Sequence, residues 1–254
     1  MKTNHLLALL VLGAGSLMPC LRADITASEQ ALLNDAEVRR GVRFSSGMQW
    51  TVAAGSKSSG TDANATLIVR SQAGKAAAEV VSPPSSAGKK YLLTDGQMYF
   101  YRPGTKRAVP VPRRQQVAGD AAIGDIASIS FLQEYSPAAA TKATLDGEAC
   151  TKFELRARPG TSASYDRIEL WISNDQRVSR KAEFFTRTGK HIRTATFEHK
   201  ASITVSGKTL PFLSKLVVVE MLGTPKTTVL SFKDYKTRNF PAETFEVEHL
   251  PAPS

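Results

Sequence analysis

The 254-residue chain holds only two cysteines and four histidines. It also lacks an apolar run long enough to cross a bilayer, which takes ~20 residues. Each shortage excludes something. Cys20 falls in the expected leader and Cys150 far along the chain, so once that leader is removed no intrachain disulfide can form, even in an oxidising compartment. Cys150, between Ala149 and Thr151 in a strand-like stretch, reads as a small buried hydrophobe. His191 and His199 share a strand face by their even spacing, yet eight residues of strand separate them by on the order of 26 Å. They cannot share a metal and read as solvated surface histidines, while His249 lies near the C-terminal end.

Catalytic motifs are missing too. There is no Gly-x-Ser-x-Gly elbow and no His-Glu-x-x-His pair. Gly55 to Gly60 has the glycine spacing of a phosphate loop, but Thr61 stands where the lysine is required. Ser86 and Lys89 match Ser-x-x-Lys, in a Pro/Ser/Gly loop without the partner motifs. No nucleophile–base pair, carboxylate pair or cofactor motif emerges, so the sequence reads as a non-enzyme without cofactor.

What is present begins with a leader. Met1 to His5 carries one lysine, Leu6 to Met18 is almost wholly apolar, and Leu21-Arg22-Ala23 precedes polar Asp24. This is the layout of a secretory signal peptide, with cleavage expected near Ala23 and export to the periplasm. Lipoprotein anchoring at Cys20 competes, but Pro19 stands where a small residue is expected. The expected division is a signal peptide over 1–23 and one domain over 24–254. The formal charge of +10 suits an anionic partner or simple solubility. Export, and the absence of zinc-finger spacing or an aromatic RNA-binding motif, argue against nucleic acid.

Ser28 to Arg40 predicts a helix stopped by Gly41. Beyond it the pattern is β. Thr66–Arg70 and Ala76–Val81 read as strands, and 82–88 as a loop. Lys90–Thr94 and Gln97–Tyr101 flank Asp95-Gly96, a two-residue hairpin turn. Ala108–Pro112, with two prolines, belongs at an edge or in a loop. Gly119–Gln133 suggests a helix or lid-like loop. Strands follow over 150–156, 166–172, 178–185, 191–199, 216–221 and 227–232, which implies a mostly antiparallel sheet without βαβ units.

Four runs carry a resemblance. Gln97–Pro103, followed by Lys106-Arg107 and Arg113-Arg114, is similar to an aromatic-x-Tyr-x-Pro strand and its basic follower. Val117–Asp120 through Tyr135 resembles a Gly/Asp-rich segment. Tyr165–Trp171, Lys181–Phe185, Gly189-Lys190 and Thr194–Phe197 resemble paired central strands, and Phe240–Leu250 a closing segment. Together they resemble the LolA-like outer-membrane lipoprotein-sorting proteins, in their larger uncharacterised branch. Arg102 departs from that branch, which carries an apolar residue before Pro103.

The resemblance implies a mainly β (α+β) fold: a strongly curved antiparallel sheet forming an incomplete barrel, with a few helices covering the concave face. It also implies a periplasmic carrier of lipid acyl chains or lipoproteins, which could meet an inner-membrane transporter or an outer-membrane acceptor. A tail in water loses ~0.8 kcal/mol per exposed CH₂, so an apolar concavity suffices for that role. Strand alternation sends Met98 and Phe100 to one face and Tyr99 and Tyr101 to the other, and the first pair is expected inward. Trp50, Trp171, Phe184 and Phe197 are further cavity candidates, each with an ordinary core position as its alternative. Arg107, Arg113 and Arg114 could hold a head group or form a solvated loop. The alternative functions are a periplasmic sensor that binds a protein partner, usually with a second C-terminal domain, and an accessory protein of an exporter.

Overall fold

The computed structural model describes residues 25–41, 46–58, 61–111, 116–118, 121–122, 130–161, 163–205, 207–223 and 226–251. The leader, Cys20, the cleavage position, Arg113, Arg114 and most of 119–129 lie outside the described residues.

The first element is helix α1 (Ala27–Val38). Thr26 caps it reciprocally: its hydroxyl accepts from Glu29 N at 3.2 Å, and Glu29 Oε2 accepts from Thr26 N at 2.7 Å. Such a box satisfies two otherwise unpaired helix-start donors. The helix ends at Val38 with Arg39 as its C-cap, and Gly41 follows with a left-handed φ of +85°.

Strands follow as β1 (Met48–Ser58), β2 (Thr61–Gln72), β3 (Lys75–Ser82), β4 (Lys90–Thr94), β5 (Gln97–Tyr101), β6 (Val109–Val111), β7 (Gln116–Ala118) and β8 (Ala121–Ala122). A short helix α2 (Phe131–Glu134) leads into β9 (Tyr135–Leu145), β10 (Glu148–Ala157), β11 (Arg167–Ser173), β12 (Ser179–Phe185) and β13 (His191–Glu198). Then come β14 (Ala201–Val205), β15 (Lys208–Phe212), β16 (Lys215–Glu220) and β17 (Thr227–Thr237), and two 3₁₀ turns, Ala242–Phe245 and Val247–His249. Of the expected helix or lid over 119–133, the described part is the strand pair residues of β8 and the single turn of α2.

Among the described residues, thirteen strands form one sheet in the order β6-β5-β4-β3-β2-β1-β17-β16-β13-β12-β11-β10-β9. Neighbours pair antiparallel, and the two halves of the chain join where β1 meets β17, with Val52 opposite Phe232 and Ala54 opposite Leu230. β6 and β9 are left as unpaired edges, so the barrel stays open. Pro110, which has no N–H to give, sits on edge strand β6, as its chemistry requires. The Asp95-Gly96 turn has φ of +50° and +74°, both positive, as a type I′ hairpin demands. The β14–β15 hairpin is inserted between the paired strands β13 and β16.

One large apolar cluster fills the concave side. It joins Trp50, Leu67, Met98, Phe153, Leu170 and Leu230 of the sheet to Leu32, Leu33 and Ala36 of α1 and Phe131 of α2. A smaller cluster lies on the convex side, where Phe240, Phe245 and Leu250 cover Ala77 and Leu92. No helix among the described residues is long and apolar enough to cross a membrane.

Candidate functional site

The concave face is closed by α1 and α2, and a buried polar contact holds the two helices together. Glu37, on the inner face of α1, is fully buried. Ser130, the residue capping α2, donates to Glu37 Oε2 at 2.9 Å, and Arg40 Nη1 donates to Glu37 Oε1 at 3.1 Å. The Arg40 guanidinium lies 4.2 Å from the ring centre of Phe131 on α2 and 5.5 Å from that of Phe197 on β13. Arg40 thus touches both closing helices and the sheet beneath them. Removing a carboxylate and a guanidinium from water costs about as much as their attraction returns, so such a pair fixes geometry more than it adds stability.

The C-terminal end of α1 is tied down as well. Arg39 donates to the Arg177 carbonyl at 3.3 Å, its own carbonyl accepts from Leu213 N at 3.2 Å, and Asp35 pairs with Arg177. Near α2, the Tyr135 hydroxyl accepts from Tyr165 N at 3.2 Å, and Arg193 donates to the Tyr165 hydroxyl at 2.9 Å. Beside the N-terminal half of α1 a cleft of about 680 Å³ opens between Ser28, Glu29 and Leu32 of the helix and Lys142, Thr144 and Thr151 of β9–β10. It sits beside β9, one of the two edges where the sheet fails to close.

Five of the six expected cavity residues meet on the concave side. Trp50, Met98, Phe184 and Phe197 are buried in the main cluster, and Phe100 lies against it, its ring 5.0 Å from Tyr91. Tyr99 and Tyr101 go to the convex cluster, as alternation requires. The indole N–H of Trp50 is buried without a hydrogen-bond partner among the described residues. Phe184 packs against Tyr165, the two rings tilted by 40° with centres 4.3 Å apart.

Trp171 does not join them. Ile168, Leu170 and Ile172 take the inward positions of β11, so Trp171 projects from the convex face between Lys152 and Lys181, whose amines lie 5.4 Å and 5.1 Å from its ring. Arg107 is exposed in the loop before β6, with Arg113 and Arg114 outside the described residues.

The histidines also need correction. Both ring nitrogens of His199 are buried with no hydrogen-bond partner among the described residues. Burial first, then the nearby Arg180, Arg40 and Arg39, push its pKa down to about 3. His191 is half-buried, stacked at 5.1 Å on Phe185 and hydrogen-bonded through Nε2 to the Arg193 carbonyl at 2.8 Å. Neither is a solvated surface group. Cys150 is buried, and that burial raises its thiol pKa. Lys89 Nζ does donate to Ser86 Oγ at 3.0 Å, in an open loop. Sequence reading missed Glu37, Arg40 and Ser130. The signal that could have found them is an acid and a base three apart at the end of an otherwise apolar helix face.

A curved, open antiparallel sheet with helices across its concave face defines the LolA-like class, and comparison with solved structures agrees. A LolA superfamily protein from Nitrosomonas europaea superposes with a TM-score of 0.74 at 23% identity, covering 85% of this chain and 96% of its own. A DUF1329 family protein from Desulfovibrio piger gives 0.72 at 16%, covering 87% and 98%. An outer membrane lipoprotein-sorting protein domain from Vibrio parahaemolyticus gives 0.72 at 15%, covering 87% and 97%. A family model for uncharacterized proteins matches residues 73–252, and the chain belongs to that family. No curated protein matches it. The fold expected from the strand motifs therefore holds: the chain has the fold seen in LolA superfamily structures.

Proposed function

We propose that the protein is a periplasmic carrier that shelters lipid acyl chains, free or attached to a lipoprotein, between the concave sheet and the helices α1 and α2. The observation behind this reading is the way the concave face is closed. A large apolar cluster on an open sheet is covered by one twelve-residue helix and one single-turn helix, joined through the Glu37–Ser130 contact. A cover held by a buried polar contact of small net stability can be displaced by a competing apolar ligand. Met98, Phe100, Phe184 and Phe197 would then line the exposed surface, and the cleft beside β9 would be the route in. Each CH₂ of a bound tail gains ~0.8 kcal/mol on leaving water, so a cavity supplies the affinity without catalytic groups.

The test is uptake of a fluorescent fatty acid by the purified mature chain. Saturable binding that is lost in Phe100→Asp supports the carrier. Phe100 is half-buried at the margin of the cluster, so a charge there blocks the site while leaving most of the core intact. Failure of the wild-type protein to take up the probe would contradict the reading.

A further inference from the structure

A second cleft lies on the opposite face of the sheet, independent of the carrier reading. Along β3 and β4, Ala78, Val80, Tyr91 and Leu93 join the concave core, while Ala77 and Leu92 face outward. The register sets Arg70 opposite Ala77 and Glu79 opposite Lys90, so a charged row borders a small apolar patch. The segment after β17 folds back over that patch and buries Phe240, Phe245 and Leu250. It is pinned where it turns: Arg238 N donates to the Gly47 carbonyl at 3.2 Å, and Phe240 N donates to Gln72 Oε1 at 2.9 Å. Gly47, with φ +30°, permits this approach, since a Cβ there would lie 2.4 Å from the Arg238 carbonyl oxygen.

The segment does not lie flat on the sheet. A cleft of about 470 Å³ remains, with Arg70, Glu79 and Ala77 on its sheet side and Arg238, Phe240 and Glu243 on its other side. That volume suits a small molecule. Glu79 lies 3.8 Å from Arg70 and engages it. Arg238 is different. Its guanidinium lies 5.3 Å from the Phe240 ring centre, and among the described residues it has no carboxylate within ion-pair distance. A backbone hydrogen bond and an aromatic face thus hold one solvent-exposed guanidinium at the mouth of a partly apolar cleft.

We propose that this cleft binds a small organic monocarboxylate with an apolar body. The carboxylate would take the planar fork of Arg238, which matches it with two parallel hydrogen bonds. The body would lie on Phe240, Ala77 and Leu250. Arg70, Lys90 and Arg238 outnumber Glu79 and Glu243 in the lining, so the cleft carries a net positive charge that favours an anion.

The test is isothermal titration of the protein with phenylacetate and its neutral amide phenylacetamide. Phenylacetate binds saturably at one site, and the amide does not bind. Arg238→Gln weakens phenylacetate by about tenfold, the usual scale for losing hydrogen bonds to a charged group. Arg238→Lys, which keeps the charge without the fork, falls between. Arg238 is exposed, so both variants fold, which circular dichroism verifies. A wild-type protein that binds neither compound, binds acid and amide equally, or keeps its affinity in Arg238→Gln overturns the proposal.

Discussion

The Ser130 hydroxyl, bonded to the buried Glu37 carboxylate at 2.9 Å, joins two helices that lie ninety-three residues apart in sequence. The same oxygen accepts from Gln133 N at 3.2 Å and so caps α2. One atom therefore both starts the short helix and attaches it to the long one. Ser130→Ala removes a helix cap, worth ~1 kcal/mol, and a hydrogen bond to a buried charge. The expected result is a fall in thermal midpoint of several degrees, at about 2–4 °C per kcal/mol for a chain of this size. Fatty-acid uptake should become faster in the same variant, because the cover opens more easily. An unchanged midpoint with unchanged uptake would show that this contact does not hold the cover.

His199 makes folding sensitive to mild acid. Its folded pKa, about 3, lies below the ordinary value of 6.5, so the unfolded chain binds a proton first. Stability is therefore complete above pH 6.5 and declines as pH falls toward 3, with a limiting slope of about one proton per molecule. Between pH 6.5 and about 5 ordinary carboxylates contribute little to this slope. Urea unfolding across that window should show the decline in the wild-type protein and a flatter profile in His199→Gln. Equal slopes in the two proteins would place the ring in water.

The two faces of the sheet should respond differently to loss of an aromatic residue. Phe184 is buried against Tyr165, and Phe184→Ala is expected to cost ~3–5 kcal/mol and to weaken lipid uptake. Trp171 lies between two lysines on the convex face, and Trp171→Ala should leave uptake unchanged with a small loss of stability. Paired uptake and denaturation curves check this. Loss of uptake in Trp171→Ala would move the ligand to the convex side.

Thr26→Ala breaks the reciprocal cap of α1 and should cost about 1 kcal/mol. Hydrogen exchange would show the change in the first turn of α1, beside the cleft at β9, while the strands keep their protection.

The β-rich fold was legible because most strands carry their own local signal. Ile168, Leu170 and Ile172 alternate cleanly, and Asp95-Gly96 names its turn. The outward position of Trp171 is legible too, since alternation with Ile168, Leu170 and Ile172 alone sends it to the convex face. β1 was less visible because its outer positions are small and polar, and its pairing with β17 spans nearly the whole chain. The β14–β15 hairpin, with Thr, Ser and Lys on its exposed positions, gave little apolar contrast. The burial of His199 is not legible by counting along a strand, because the strand stops at Glu198 and the ring lies beyond it. The Glu37–Arg40–Ser130 group was invisible for a similar reason. Its members are polar, and only the packing of α1 on α2 turns them from surface residues into buried ones.

The carrier reading is tested most directly by native mass spectrometry of the protein purified from its own cells, with extraction of anything bound. A discrete acyl-containing species is expected to co-purify with the wild-type protein and to be lost in Phe100→Asp. A wild-type protein that emerges empty, and stays empty when offered fatty acid, would contradict it and shift attention to a protein partner.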